Sequence, residues 1–214
     1  MKKPTLIAAC FFAFATLLNA QPQAGGNNDC VDLNQQFRNA RDQWMKTSPN
    51  APLDQAERAQ FDGLYYYPVD CSYVFEGGLF VNDQPVKTSI ATTDGSTVQL
   101  IDYGKVRCTI RGVEHEFTVY KNIDLPDFKD YTQVYFIPFR DATSVEPAST
   151  TNASGRYLLI DLPVEGNRVT LDFNKAVNPF TNYNASYGSL VTPAANVITA
   201  PLMVGERKYE DRTN

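Results

Sequence analysis

The stretch K-V-R-C-T-I-R-G-V-E-H-E-F-T-V-Y, residues 105–120, decides the fold. Val106, Cys108 and Ile110 hold one phase of a two-residue period, Arg111-Gly112 is a turn signal, and a second β-rich run follows to Tyr120. Successive side chains on a strand point to opposite faces, so each run has one face to bury, and two runs joined by a tight turn pair antiparallel. The same texture extends outward. From Tyr65 on, β-branched and aromatic residues come in short runs divided by Asp94-Gly95, Arg111-Gly112 and Glu165-Gly166-Asn167. The pattern predicts strands over 73–81, 86–91, 97–101, 105–111, 115–120, 132–139, 156–162, 168–173 and 197–203. With no helices between them, the expectation is a mainly β (α+β) protein, an antiparallel β-barrel or sandwich of about nine short strands. Doubly wound α/β folds and their cofactor sites are excluded, and the sequence calls for no cofactor.

Upstream of the strands the period changes. Leu33, Phe37, Ala40 and Trp44 are spaced by four, three and four, which predicts a helix over about Asp32–Lys46, stopped by Ser48-Pro49. Asp54 and Glu57 have the capping-box spacing of a short second helix, with Phe61 near its end and Gly63 as the stop. A helical hairpin over 32–63 therefore opens a single domain spanning 32–208. Residues 21–31, polar and Gly-rich, read as a flexible arm, and 209–214 as a frayed tail.

The first twenty residues are an address. Lys2 and Lys3 precede an apolar run from Leu6 to Leu18, and Ala20 supplies a small residue for cleavage. This is the layout of a secretory signal peptide, and the run is shorter than the roughly 20 residues a spanning helix needs. The chain is expected to be exported, periplasmic or extracellular, with no stable membrane span. Its formal charge is −5, and −7 once residues 1–20 are removed, which argues against nucleic acid and anionic lipid as partners. A monomer is expected. Cys10 leaves with the peptide. Cys108 reads as a small buried hydrophobe, and Cys30 with Cys71 as a candidate disulfide in a compartment that permits one.

Few chemistries fit. His115 is the single imidazole and sits in a hairpin between Glu114 and Glu116, with Cys108 on the other phase. There is no G-x-S-x-G elbow, no H-E-x-x-H, no phosphate-binding glycine loop and no Cys–His cluster with zinc spacing, so no metal site is expected. Asp124, Asp127 and Asp130 read as a solvated loop. Asp141, Asp161, Asp172 and Glu206 stand at strand ends or turns, where a pair of carboxylates could act in glycoside hydrolysis. Tyr65-Tyr66-Tyr67, Tyr183 and Tyr187 could stack on sugars. Asn152-Ala-Ser154 and Asn184-Ala-Ser186 read as polar loops.

Several separated motifs carry a resemblance. They are Ser48-Pro49 through Leu53, Phe61-Asp62-Gly63-Leu64 with Tyr66-Tyr67-Pro68-Val69-Asp70, then Phe136-Ile137-Pro138-Phe139-Arg140-Asp141-Ala142-Thr143. Gly155-Arg156-Tyr157-Leu158, Leu171-Asp172-Phe173-Asn174-Lys175-Ala176 with Asn178-Pro179, and Gly205-Glu206-Arg207 complete the series. Over residues 35–208 the chain resembles the bacterial and archaeal family called domain of unknown function sixteen-eighty-four. The resemblance implies a recurrent set of polar positions: Asp141 and Thr143, Arg156, Asp172 and Asn174, Asn178, and Glu206. Arg and Asp at strand ends form charge-assisted pairs, either a clamp that closes the fold or an anchor for a carboxylate ligand. The chain also departs from the family pattern, with Thr181 and Ser189 where cysteines are common, Ala195 where a Glu precedes Asn196, and Val145 where a glycine is usual. The expectation is a small polar or anionic ligand bound at the strand ends by Asp141, Thr143, Arg156, Asp172, Asn174, Asn178 and Glu206. A glycan-acting hydrolase and a non-catalytic envelope scaffold are the alternatives.

Overall fold

A computed structural model describes residues 27–131 and 133–209. The signal-peptide reading of 1–20 and most of the arm lie outside the described residues. Helix α1 runs Asn27–Thr47, so the end of the expected arm is helical and carries Cys30 in the helix's first turns. Helix α2 is Gln55–Gln60. Its capping box is present: the Asp54 carboxylate accepts from the Glu57 N–H and the Glu57 carboxylate from the Asp54 N–H. The disulfide Cys30–Cys71 ties α1 to the start of the sheet across 41 residues of sequence, with the Cα atoms 6.2 Å apart. Closing a loop of that length in the unfolded chain contributes about 4 kcal/mol to stability.

Among the described residues six strands, not nine, form one antiparallel sheet curled into a half-barrel. They are β1 Val74–Ala91, β2 Thr97–Ile110, β3 Val113–Asn122, β4 Tyr135–Phe139, β5 Arg156–Ile160 and β6 Arg168–Asp172, in the order β5-β4-β3-β2-β1-β6. The expected 73–81 and 86–91 are one strand with a register shift between Val81 and Val86, pinned where Asn82 Nδ2 donates to the Asp102 carbonyl at 3.1 Å. Likewise 97–101 and 105–111 are one strand kinked at Gly104. A Cβ there would lie 2.3 Å from the Phe80 carbonyl oxygen, so only glycine lets the neighbouring backbone pass. The deciding hairpin turns at Arg111 (φ 50°) and Gly112 (φ 83°), the two positive-φ residues of a type I′ turn.

The expected ninth strand, 197–203, is not one. Only Val197 pairs, as a single parallel bridge to Arg140, and the segment instead pushes Ile198, Leu202 and Val204 into the barrel. They meet Leu79, Val106, Cys108, Phe117, Val119, Ile137, Phe139, Leu158, Val169 and Leu171 from all six strands. A second core on the other face packs Tyr120, Phe136 and Tyr157 under Leu125, Phe128, Val177 and Leu190, and a third seats Met45, Leu53, Phe61 and Tyr183 beneath the helices. The expected frayed tail begins ordered, with the Tyr209 ring against Tyr183 and Tyr65.

Helix α1 is rotated from its apolar stripe. Leu33 is 56% exposed and Ala40 is exposed, whereas Asn34, Arg38 and Met45 are buried and Arg41 is half-buried. The inward residues are spaced 34, 38, 41, 45, one position along from 33, 37, 40, 44, and the helix docks with a polar face.

Candidate functional site

The residues expected to bind a ligand lie in three polar clusters, and most of them are consumed by the fold. In the first, Arg156 opens β5 with its side chain 1% exposed and pairs with Asp141. The pair is single rather than bidentate: the other Asp141 oxygen accepts from the Thr143 N–H at 2.7 Å and from its hydroxyl. Arg156 also donates to the carbonyls of Leu202 (3.0 Å), Val204 and Glu206 (3.3 Å). It therefore fastens the segment that plugs the barrel, and the clamp reading, not the anchor, describes it. The chain enters β5 through Gly155 at φ 102°, where a Cβ would lie 2.3 Å from the Phe139 oxygen. The long loop after Val145 folds back so that Thr150 and Thr151 N–H groups reach the Thr143 carbonyl.

In the second cluster the fully buried Glu206 accepts from Arg41 Nε at 3.2 Å, from the Asn178 N–H at 2.7 Å and from the Tyr183 hydroxyl. Burial, the largest single influence, would lower the Arg41 affinity for its proton, but the Glu206 carboxylate, Tyr183, Tyr66 and Tyr131 together outweigh it and hold the guanidinium above its ordinary value. Burial, then Glu206, pushes the Tyr66 and Tyr183 phenols up. The third cluster is at the end of β6. Asp172 accepts from Asn34 Nδ2 at 2.8 Å and, on its other oxygen, from the Asn174 N–H at 3.1 Å and its Nδ2 at 2.9 Å. Asn174 in turn exchanges two bonds with the Asp70 backbone.

Beside this third cluster the structure has an opening. The edge strands β5 and β6 approach each other at the seam of the half-barrel, and the N-terminal part of α1 lies across it. A cleft of about 300 Å³ there is lined by Asp29, Leu33, Asn34, Leu159, Asp172 and Lys175, with Val74, Asp161, Thr170 and the Cys30 disulfide at its walls. Asn34 is completely buried, and its Oδ1 has no partner among the described residues. Its amide orientation is fixed, because Nδ2 donates both to the Cys30 carbonyl at 3.0 Å and to Asp172. Of the expected site residues the cleft gathers Asp172 alone.

In the loop expected to be solvated, Asp130 is exposed and Asp127 is buried, and both carboxylates hold structure. Asp130 accepts from Trp44 Nε1 and Ser48 Oγ, both at 2.7 Å, and from Asn50, docking its loop on α1. Asp127 is 4% exposed and accepts from the Phe180 N–H at 2.7 Å, with its other oxygen unpartnered. Burial pushes its carboxyl up to about 6, while the Phe180 N–H and Arg41 pull the other way. Because this folded value exceeds the unfolded one near 3.9, the folded form binds the extra proton between them. The stabilisation from this group is complete below about pH 4 and is lost as pH rises through about 6, a change on the order of 3 kcal/mol. Asp127→Asn, which mimics the protonated acid, is expected to flatten that slope and to melt higher than wild type at neutral pH. Melting curves that track wild type from about pH 4 to pH 7 would show the carboxyl does not titrate this way.

Cys108 and His115 are direct cross-strand partners and share a face of the sheet, correcting their expected separation. The ring of His115 lies flat on Phe117, and burial raises the Cys108 thiol to about 11, an unreactive thiol. Thr181 and Ser189 hold each other by their hydroxyls at 3.0 Å. Asn196 bridges β3 and β4 with its side-chain amide: Oδ1 accepts from the Thr118 N–H at 2.7 Å, and Nδ2 donates to the carbonyls of Thr118 at 3.0 Å and Pro138 at 2.8 Å. Sequence reasoning missed Asn34, Arg41, Asp127 and Asn196. Only the 34-38-41 spacing of polar residues on α1 could have signalled any of them.

The profile of the family described as "Protein of unknown function (DUF1684)" matches residues 59–207. The chain belongs to this family. All three polar clusters draw most of their members from the matched region, and α1 with its Asn34 and Arg41 precedes it. The chain is also similar to the uncharacterized protein from gene locus rrnAC0354 of Haloarcula marismortui, solved by solution NMR. The two are 26% identical with a TM-score of 0.63, over 84% of this chain and 95% of that one. No curated protein matches. Among the described residues no helix is long and apolar enough to cross a membrane, and no three metal-ligating side chains are grouped.

Proposed function

We propose that this family member is an exported, monomeric protein that binds a small polar molecule at the ends of β5 and β6, in the seam cleft. The observation that carries this reading is the fully buried Asn34 in the cleft wall, whose acceptor oxygen has no partner among the described residues. A buried polar atom without a partner costs about 1–3 kcal/mol, and a ligand donor would recover it. The volume of about 300 Å³ is at the small end of ligand sites, suited to a metabolite-sized molecule. The Cys30–Cys71 disulfide supports an oxidising compartment, and with the signal-peptide layout it supports export.

This reading moves the site from Arg156 to the seam, because Arg156 spends its charge and its Nη donors on Asp141 and on the carbonyls of Leu202, Val204 and Glu206. The hydrolase alternative loses Asp141 and Glu206, each paired with an arginine, and Asp172 has both oxygens engaged by Asn34 and Asn174. A native mass spectrum of the mature protein from an exporting host is expected to show a reproducible non-covalent adduct, which Thr170→Trp, filling the cleft from an exposed position, removes. An apo mass for the wild-type protein, unaltered when cell extract is added, would favour the scaffold instead.

A further inference from the structure

We infer that the seam cleft selects a small organic cation, an ammonium or guanidinium on a short aliphatic body; this rests on the ligand-binding reading above. Three carboxylates line the cleft against one ammonium. Lys175 Nζ lies 4.0 Å from Asp172 Oδ2, so these two charges offset each other. Asp29, in the first turn of α1, and Asp161, just past β5, have no hydrogen bond or ion pair among the described residues. They stand on different walls, one on the helix and one on the sheet edge, and leave the cleft net negative. The start of α1 contributes a partial positive charge, which Asp29 in that first turn offsets.

Three features then specify the same chemistry. The Asn34 Oδ1, without a partner among the described residues, is an acceptor that a ligand N–H or O–H would satisfy. Asp29 and Asp161 favour positive charge on the group that supplies it. Leu33, Val74 and Leu159 offer an apolar surface to an aliphatic chain. A single metal ion does not meet these conditions, because the carboxylates are dispersed rather than grouped.

The test is a backbone-amide NMR titration of the mature, disulfide-intact protein with three probes of similar size: n-butylammonium, butyramide and butyrate. Butylammonium is expected to shift the amides of Leu33, Asn34, Leu159 and Thr170, with a Kd on the order of millimolar for so small a ligand. Asp161→Asn, at an exposed position, is expected to keep the wild-type Tm while weakening butylammonium about fivefold, and added salt should weaken it similarly. Butyramide or butyrate binding the same amides as tightly would overturn the cation assignment while leaving the cleft a ligand site. So would an Asp29→Asn, Asp161→Asn double variant that binds butylammonium as wild type does. Silence from all three probes would take down the ligand-binding reading together with this one.

Discussion

Arg156→Ala is expected to lose about 3–5 kcal/mol of folding stability, a large share of the roughly 5–15 kcal/mol available to a domain. The deleted guanidinium leaves the Asp141 carboxylate uncompensated in the interior and removes the donor to the carbonyls of Leu202, Val204 and Glu206. Those carbonyls belong to the segment that plugs the half-barrel, so the loss spreads to the packing of Leu202 and Val204. The size of the effect comes from stranding a charge, not from the net worth of the pair. Replacing both partners with apolar residues, Arg156→Met with Asp141→Leu, is therefore expected to cost less than Arg156→Ala alone. Urea denaturation of the single and double variants reads this directly. A midpoint for Arg156→Ala within error of wild type would remove the clamp from its structural role.

Asn196→Ala is expected to cost a comparable amount, about 3–5 kcal/mol, for a different reason. Strands β3 and β4 pair only at Tyr120–Phe136 and Lys121–Tyr135, and further along β4 Pro138 has no N–H to give. The side-chain amide of Asn196 stands in for the missing peptide, satisfying the N–H and C=O of Thr118 and the C=O of Pro138. Truncation strands three buried backbone groups at once, at about 1–3 kcal/mol each before relaxation. Asn196→Asp does not rescue, because a carboxylate supplies the acceptor but no donor. The Thr118 amide is the specific reporter, and its hydrogen exchange is expected to accelerate by at least about 100-fold in the alanine variant. Exchange at the wild-type rate would mean that β3 and β4 close without the amide.

The two effects show which parts of the molecule could be read from its sequence. The hairpin at Arg111-Gly112 was legible because a two-residue period and a positive-φ turn are local properties. The capping box of α2 was legible for the same reason. The number of strands was not. The polar run at 82–85 and Gly104 look like breaks, yet the sheet crosses both by shifting register, because a neighbouring strand was present to pair with. Segment 197–203 alternates like a strand but packs inside the half-barrel instead of along an edge of the sheet, so its apolar residues serve as a plug.

The polar residues Asp141, Arg156, Asp172, Asn174 and Glu206 were legible as a set, and their roles were not. Whether Arg156 faces a ligand or an internal carboxylate depends on residues up to 50 positions away, which no local pattern encodes. Helix α1 makes the same point most directly. Its apolar stripe at 33, 37, 40 and 44 predicts one orientation, and the surface beneath it, presenting Asp172 at the end of β6, the Tyr67 carbonyl and Glu206, enforces another. Burying those acceptors unpaired would cost more than leaving Leu33 exposed, so the helix turns Asn34, Arg38 and Arg41 inward. The sequence by itself determined a β-rich sheet behind two helices, the turns, the cap and the family. Tertiary structure alone decided the strand count, the docking face of α1 and the place of the open cleft, because each depends on which distant polar group needed a partner.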